Sequence, residues 1–361
     1  MEAGKTVFIT GAAGYVGAML VRRFAAREDV ARVVGLDKEP VPDLIRDEPK
    51  LAYIQANLAD EGWEERVAEH LPQIVIHTAW QIREIYGDRP LTWRWNVEGS
   101  ERLFRFAYST PSVERLVHFS TVASYGALPS NTVEHRFTED EPFRKTDYLY
   151  AEEKRAAEER LEECFEKAER KVPTAVVRPA AITGPRGRYM RIRFGLQAAL
   201  AGQLKDSLPY RLVSMLTRFV PVTPKWVRQF IHEDDVVDLV ELLAMEKPRA
   251  AYEVYNICPP GPVVRGDDMA AAVGKRALTI QPWMARLPFA LLWHGTRGKI
   301  PTSRGSWKGY SYPIAVDGSR LTREYGYAYR YASLDAFRYT DGEYEPFVPE
   351  DLRRPNPNPA P

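Results

Sequence analysis

Six short runs rich in β-branched and aliphatic residues, separated by helix-like stretches, constrain this chain more than any other feature. KTVFIT (5–10) leads into a helical stretch reaching about Ala26, followed by ARVVGLD (31–37) and LAYIQAN (51–57). A short helix near 62–71 precedes QIVIHTA (73–79), and a longer one over 92–109 precedes RLVHFST (115–121). A charged helix beginning near Tyr148 then leads to PTAVVRP (173–179). Apolar runs flanked by helices read as strands buried on both faces, because parallel neighbours need a crossover between them. The expected fold class is α/β, a Rossmann-type doubly wound parallel sheet.

After Pro179 the alternation weakens. Residues 183–226 are rich in Gly, Pro and Arg, and RQFIHEDDVVDLVELLAM then reads as a strand passing into a helix near Asp234. AAYEVYNIC is a further strand. The expected organisation is a dinucleotide-binding domain over 1–180, with segments returning to it near 226–258. A smaller, non-contiguous C-terminal α/β lobe over 181–350 would hold the substrate. The terminal RRPNPNPAP, part of a loose tail over 351–361, can neither pair in a sheet nor continue a helix.

Composition gives no reason to expect several classes. A net charge of +1 provides no long-range field for nucleic acid or an anionic membrane. No apolar run approaches the ~20 residues of a membrane helix; LPFALLWH (287–294) is short and lies between Arg286 and Arg297. The opening MEAGKTVFITG shows no secretory signal, so a soluble cytoplasmic protein is expected. Cys164 and Cys258 are the only cysteines and read as packing residues in a reducing compartment. No metal site is expected: the histidines are scattered, and HEDD (232–235) straddles a strand-to-helix junction where Asp is a natural N-cap. The basic stretch GPRGRYMRIR (184–193) reads as a solvated loop, or as a contact for a phosphate-bearing substrate.

ITGAAGYVG sets Gly11, Gly14 and Gly17 between the first strand and the first helix. Glycines there permit a tight turn, close approach of a pyrophosphate and close helix–strand contact, while the helix N-terminus stabilises the phosphate charge. Tyr15 and Val16 belong to the same turn. Asp37, ending the second strand, can accept from both adenosine ribose hydroxyls and would repel a 2′-phosphate, which favours NAD over NADP. Lys38 softens that preference, and Asp37 can also be read as an ordinary turn residue.

In order along the chain stand TGAAGYVG (10–17), NLAD (57–60), IHTAW (76–80), NVEGSERL (96–103), HFSTVASYG (118–126), YAEEK (150–154), VRPAAITGP (177–185), RQFIHEDDV (228–236) and YNIC (255–258). Their order and spacing resemble the extended short-chain dehydrogenase/reductase family, also called the NAD-dependent epimerase/dehydratase family. The resemblance implies that Asn57 and Leu58 lie beside the adenine, Asn57 replacing the usual Asp. Thr78 and Ala79 would line the central part of the cofactor, with Asn96 and Pro179 also on the cofactor side. Asn96 can alternatively be read as a helix N-cap. Members are often dimers through the 92–109 and 148–170 helices, so a homodimer is a possible partner state. The row Ala157, Leu161, Cys164, Phe165 and Ala168 on the second of these must pack somewhere.

Hydride transfer needs a group that moves the hydroxyl proton. Tyr150 and Lys154 are four residues apart and share a helix face, whereas Tyr148 lies about 240° around from Lys154. A free phenol, with a pKa of about 10, is too weak a base at neutral pH; a neighbouring ammonium favours phenolate. By resemblance, Lys154 also bonds the nicotinamide ribose and Thr121 takes the place of the catalytic Ser or Thr, with Ser120 and Ser124 as alternatives. Trp80 reads either as a substrate contact or as core. The resemblance implies that Arg228 is a diphosphate ligand; it can equally be read as a solvated surface arginine.

Family 4,6-dehydratases follow the catalytic Thr with Asp–Glu, whereas this chain has Val122 and Ala123, which cannot move protons. Thr183 replaces a family Tyr, and no Asn stands between Pro179 and Gly184, which weakens the nucleotide-sugar assignment in particular. The function expected is an NAD-dependent oxidoreductase or epimerase acting on a secondary hydroxyl of a sugar or sugar-nucleotide. The alternatives are an NAD(P)-dependent alcohol dehydrogenase or ketone reductase on a non-sugar substrate, and a non-catalytic dinucleotide sensor.

Overall fold

The computed structural model describes residues 4–187, 219–272, 274–339, 341–350 and 353. Residues 188–193 of the basic stretch, the following segment to 218, and all of the tail but Arg353 lie outside the described residues.

Each of the six apolar runs forms a strand: β1 (Lys5–Thr10), β2 (Val30–Asp37), β3 (Leu51–Gln55), β4 (Ile74–His77), β5 (Arg115–Phe119) and β6 (Thr174–Pro179). Neighbours among these six pair in parallel. With the strand Tyr252–Ile257 they form one seven-stranded sheet, in which β6, β5, β4, β1, β2 and β3 follow that strand in order. The order reverses between β1 and β4, and such a reversal leaves a crevice at the carboxyl ends of the strands. Asn57, Thr78, Ala79, Ser120 and Thr121 lie just beyond those ends.

The helices include α1 (Tyr15–Ala25), α2 (Trp63–Ala68), α3 (Gly99–Ser109), α4 (Leu149–Lys167), α5 (Glu233–Met245) and α6 (Pro282–Gly295). The helix expected over 92–109 runs without a break from Arg89 to Ser109, with one π-helical turn inside it. A short α-helix, Arg89–Trp93, is capped by the Asp88 side chain, which accepts from the Leu91 N–H at 3.0 Å. A π-helical turn, Arg94–Glu98, carries Asn96 and is followed by α3. A π turn takes one extra residue into the ladder and recurs at functional positions.

The chain divides into two compact units. The first comprises Met1–Thr121, Glu152–Arg178 and Val237–Tyr255; the second comprises Val122–Ala151, Pro179–Val236 and Asn256–Pro361. In the first unit the rings of Phe8, Trp63 and Phe106 meet at 5.2–6.0 Å within a core that includes Val34, Val75, Leu103 and Leu116. Burying each such large side chain stabilises by about 1.5–3 kcal/mol. The apolar row of α4 packs inward, since Leu161, Cys164, Phe165 and Ala168 join this core and Ala157 is fully buried. Two ion pairs are buried with it, Arg178 with Glu158 and Arg115 with Glu253. In the second unit Phe230–His232 runs parallel to Ala181–Thr183, and Arg276–Thr279 runs parallel to Phe219–Val222. Val220, Val222, Trp226, Phe230, Val264 and Ala336 form its core.

Candidate functional site

The glycine turn follows directly from β1. Gly11 has φ +72°, and a Cβ there would stand 2.6 Å from the Ala79 nitrogen. A Cβ on Gly17 would stand 2.0 Å from the Gly11 carbonyl oxygen. Neither position can hold a side chain while the turn keeps this shape. Gly14 is the N-cap of α1 and supplies no side-chain cap, and Ala13, Gly14, Tyr15 and Val16 are half-exposed. The opening of α1 is therefore a half-exposed helix start that favours negative charge.

Asp37, at the end of β2, accepts from the Ala13 N–H and the Glu39 N–H, both at 3.0 Å. Each carboxylate oxygen keeps a further lone pair. Burial raises its pKa above the ordinary carboxyl value, and the two backbone donors oppose that shift. Lys38 pairs with Glu39 at 2.5 Å. The Asn57 side-chain oxygen accepts from the Ala59 N–H at 3.0 Å, closing a local turn. Leu58 is buried in the core.

A hydrogen-bond relay runs across the sheet behind the turn. The Ala79 N–H donates to Thr10 Oγ1 at 3.4 Å, and Thr10 Oγ1 meets His77 Nδ1 at 2.7 Å. His77 Nε2 meets Ser100 Oγ at 2.8 Å, and Ser100 donates to the Asn96 carbonyl. One tautomer satisfies every member: neutral His77 with its proton on Nε2, assigned from this network. Burial, reinforced by Lys154, pushes the His77 pKa down to about 3, in keeping with a neutral ring. Thr78 Oγ1 donates to the Thr10 carbonyl at 2.7 Å.

Asn96 uses its whole amide on protein partners. Its oxygen accepts from the Gln81 N–H at 2.7 Å, and its nitrogen donates to the Gln81 carbonyl at 3.0 Å and to Glu153 Oε2 at 2.8 Å. Asn96 is thus a clamp between the end of β4 and α4, and it is not an N-cap. Glu153 is a residue that sequence reasoning missed. It is buried, its Oε1 has no hydrogen-bond partner, and burial raises its pKa to about 7. Neither is a stacked histidine pair expected from the pattern, yet His77 and His118 lie 5.2 Å apart with both rings buried. Glu153 sits in a run of charged residues where burial leaves no local signal; the histidines lie within strands, which is the one hint that they are interior.

Lys154 is also buried. Its Nζ donates to the Phe119 carbonyl at 2.5 Å and lies 3.7 Å from the centroid of the Trp80 ring. Desolvation lowers its pKa to about 7, while Glu158 and Glu153 pull the other way. Trp80 thus faces the lysine instead of only filling core, and its indole nitrogen is buried without a hydrogen-bond partner. Tyr150 lies one turn before Lys154 on α4. Thr121 is buried just past β5, next to Ser120, whose N–H donates to the Val177 carbonyl at 2.8 Å.

In the second unit Tyr150 is half-buried, its ring 5.8 Å from that of Tyr148. Tyr148 precedes the first residue of α4, so helical periodicity does not govern its direction. Ser124 lies in a 3₁₀ turn, Val122–Tyr125, with a buried hydroxyl that has no hydrogen-bond partner. Pro179 is buried at the end of β6. Arg228 is half-buried: it donates to the Val227 carbonyl at 2.8 Å and to the Gly309 carbonyl, and it lies over Trp226. Desolvation lowers its pKa to about 10. It is therefore no freely solvated surface arginine. At HEDD, the Glu233 carboxylate accepts from the Arg186 and Gly187 N–H groups.

The model of the NAD dependent epimerase/dehydratase family matches residues 7–258. The chain belongs to this family. Its curated relatives include an uncharacterized protein of Mycobacterium tuberculosis, 29% identical over 143 residues, 39% of this chain and 38% of that protein. The UDP-glucose 4-epimerase of Mycolicibacterium smegmatis is 32% identical over 130 residues, 34% of this chain and 41% of that enzyme. Sterol demethylase protein B of Methylococcus capsulatus is 30% identical over 243 residues, 67% of this chain and 66% of that protein. The chain thus spans about two fifths of the length of the first of these.

Among solved structures, a Thermotoga maritima UDP-glucose 4-epimerase with UDP-glucose shares the fold at a TM-score of 0.66, with 20% identity over 93% of this chain and 97% of that one. The Bordetella bronchiseptica enzyme WbmG, with NAD and UDP, also has a TM-score of 0.66, with 20% identity over 92% and 91%. As a member of this NAD-dependent family the chain has NAD as its cofactor. The turn suits that group: it has no room for side chains at Gly11 and Gly17, and it exposes an uncapped helix start. Among the described residues no helix is long and apolar enough to cross a membrane, and no group of three metal-ligating side chains occurs.

Proposed function

We propose that the chain catalyses NAD-dependent oxidation–reduction or epimerisation at a secondary hydroxyl, most simply that of a sugar or sugar-nucleotide. The observation that carries this reading is the buried Lys154 one helical turn from Tyr150, held between the Phe119 carbonyl and the face of Trp80. The glycine turn with Tyr15 and Val16 would hold the pyrophosphate, and Asp37 the adenosine ribose. Asn57 and Leu58 would flank the adenine, and Thr78, Ala79 and Pro179 would line the rest of the cofactor path. Bound NAD supplies the hydride acceptor and donor.

The chain's own residues manage the proton. Thr121 orients the substrate oxygen, with Ser124 beside it in sequence. Tyr150 takes the hydroxyl proton and returns it. In its charged form Lys154 favours the phenolate of Tyr150, and Glu158 and Glu153 favour that charged form in turn. Asn96 acts by position, fixing the end of β4 against α4. Arg228 would meet an anionic substrate group. The lobe over 181–350 would select the substrate, while Val122 and Ala123 provide no acid–base pair for dehydration.

Tyr150→Phe tests this reading. Loss of turnover by about 10²–10⁴-fold with NAD binding retained is expected; full turnover in the variant would sink it. Following the nicotinamide absorbance separates the two reactions, since an epimerase returns its cofactor oxidised while a dehydrogenase accumulates reduced cofactor.

A second reading, a non-sugar secondary alcohol or ketone as substrate, is supported by two observations. Sterol demethylase protein B is matched over nearly twice the length of the epimerase relative. Thr183 stands where nucleotide-sugar enzymes carry a tyrosine. Turnover on a panel of hydrophobic alcohols, with none on nucleotide sugars, selects this reading.

A further inference from the structure

The second unit carries an apolar surface that its own core does not use. Trp283, Leu287 and Leu291 recur every four residues along α6 and are 72%, 65% and 64% exposed, with Met284 beside them. Residues at that spacing lie on one helix face. The other side of α6 packs within the unit: Ala285 and Trp293 are buried, and the Phe289 ring meets Tyr310 at 5.7 Å. Leu278 and Phe219, on the paired strands Arg276–Thr279 and Phe219–Val222, are exposed as well. Six of the ten large apolar side chains exposed among the described residues therefore belong to α6 or to the ribbon that leads into it. Single exposed leucines need no explanation, but three large apolar side chains along one helix face do.

Charge separates the candidate occupants. Residues 269–316 contain seven Lys or Arg and no Asp or Glu, in a chain whose net charge is +1. Arg286 lies on α6, Arg297 and Lys299 follow it directly, and all three are exposed, with no ion pair among the described residues. A second copy docking through the same face would set these cations against their own copies, which repels. An anionic lipid surface meets both features, taking the apolar face into the acyl boundary and the cations at the phosphates. Tryptophan is favoured at that boundary. The helix cannot span: its 14 residues reach only about 21 Å against a hydrocarbon core of about 30 Å, and Pro288 lies inside it. It would lie in the plane of the interface.

We propose that α6 is an interfacial anchor that docks this protein on anionic membranes. The proposal is independent of the reaction assigned above, because its readout is binding and not turnover. The full chain would be sedimented with vesicles of phosphatidylcholine alone and of phosphatidylcholine with phosphatidylglycerol, at low and high salt. Expected is binding to the anionic vesicles that weakens with salt and falls at least about tenfold in Leu287→Glu/Leu291→Glu. Arg286→Glu/Arg297→Glu/Lys299→Glu should lose the preference for anionic vesicles. All five changes are at exposed positions, and thermal melting checks that each variant folds.

Failure of the parent to bind anionic vesicles at low salt overturns the proposal, as does unchanged binding in the double leucine variant. So does sedimentation velocity showing a parent oligomer that this variant dissolves while neither protein binds vesicles; the face would then be an interface between proteins.

Discussion

Replacing Lys154 by methionine should stabilise the protein while abolishing turnover. The lysine is buried, and desolvation takes its pKa from 10.5 to about 7. That difference of about 3.5 units corresponds to roughly 5 kcal/mol of folding free energy, all of it opposing the fold where the unfolded lysine is charged. The Phe119 carbonyl bond and the Trp80 face favour the charged form and disappear with it, so the net gain should be smaller, about 2–4 kcal/mol at pH 7.

The sign follows from proton counts. Between pH 7 and 10.5 the unfolded chain holds the lysine proton and the folded chain has released it. This group therefore makes the parent's stability rise with pH across that window. Methionine does not titrate, so the advantage of the variant should shrink towards pH 10.5, leaving only the packing difference between a neutral lysine and a methionine. Urea unfolding of both proteins without cofactor at the two ends of the window measures this directly. A variant no more stable than its parent at pH 7, or an advantage that does not shrink with pH, refutes the reasoning.

Gly17→Ala should lower NAD affinity more than tenfold and reduce Tm, because its Cβ would stand 2.0 Å from the Gly11 carbonyl oxygen and must open the turn at about 1–3 kcal/mol; titration calorimetry showing unchanged affinity would remove the close-approach argument. Arg178→Met leaves Glu158 buried without its partner and should cost about 3–5 kcal/mol in chemical denaturation. Adding Glu158→Leu should recover most of that loss, and an additive double variant would show that the pair is not coupled. Glu153, raised from 4.5 to about 7, holds its proton in the folded chain across that interval, so it contributes stability below pH 4.5 that is lost as pH rises to about 7. Glu153→Gln should flatten that part of the Tm–pH profile, and an unaltered profile counts against a buried acid.

Much of the fold was legible because its signals are local. Buried parallel strands must be apolar on both faces, so β1 to β6 could be read with errors of only a residue or two at their ends. The glycine turn was legible for the same kind of reason: Gly11 and Gly17 are required by the backbone of one short segment. Tyr150 and Lys154 are linked by helical repeat alone. The longer helix was read in its place, but its π turn was not, because Asn96 is held there by Gln81 and Glu153, partners remote in sequence.

Sequence by itself determined the strands, the glycine turn and the one-turn spacing of Tyr150 and Lys154 on a helix, since each follows from periodicity or backbone sterics within one element. Only the tertiary structure decided that Lys154 sits against Trp80 and the Phe119 carbonyl, that Glu153 is interior in a helix otherwise rich in exposed charge, and that His77, Ser100 and Asn96 form one relay. It also decided that the apolar side chains of α6 stay uncovered. Burial is a property of what packs against a residue, and segments distant in the chain supply that packing. A lysine or a leucine therefore has its solvation, and with it its chemistry, assigned only when the chain closes.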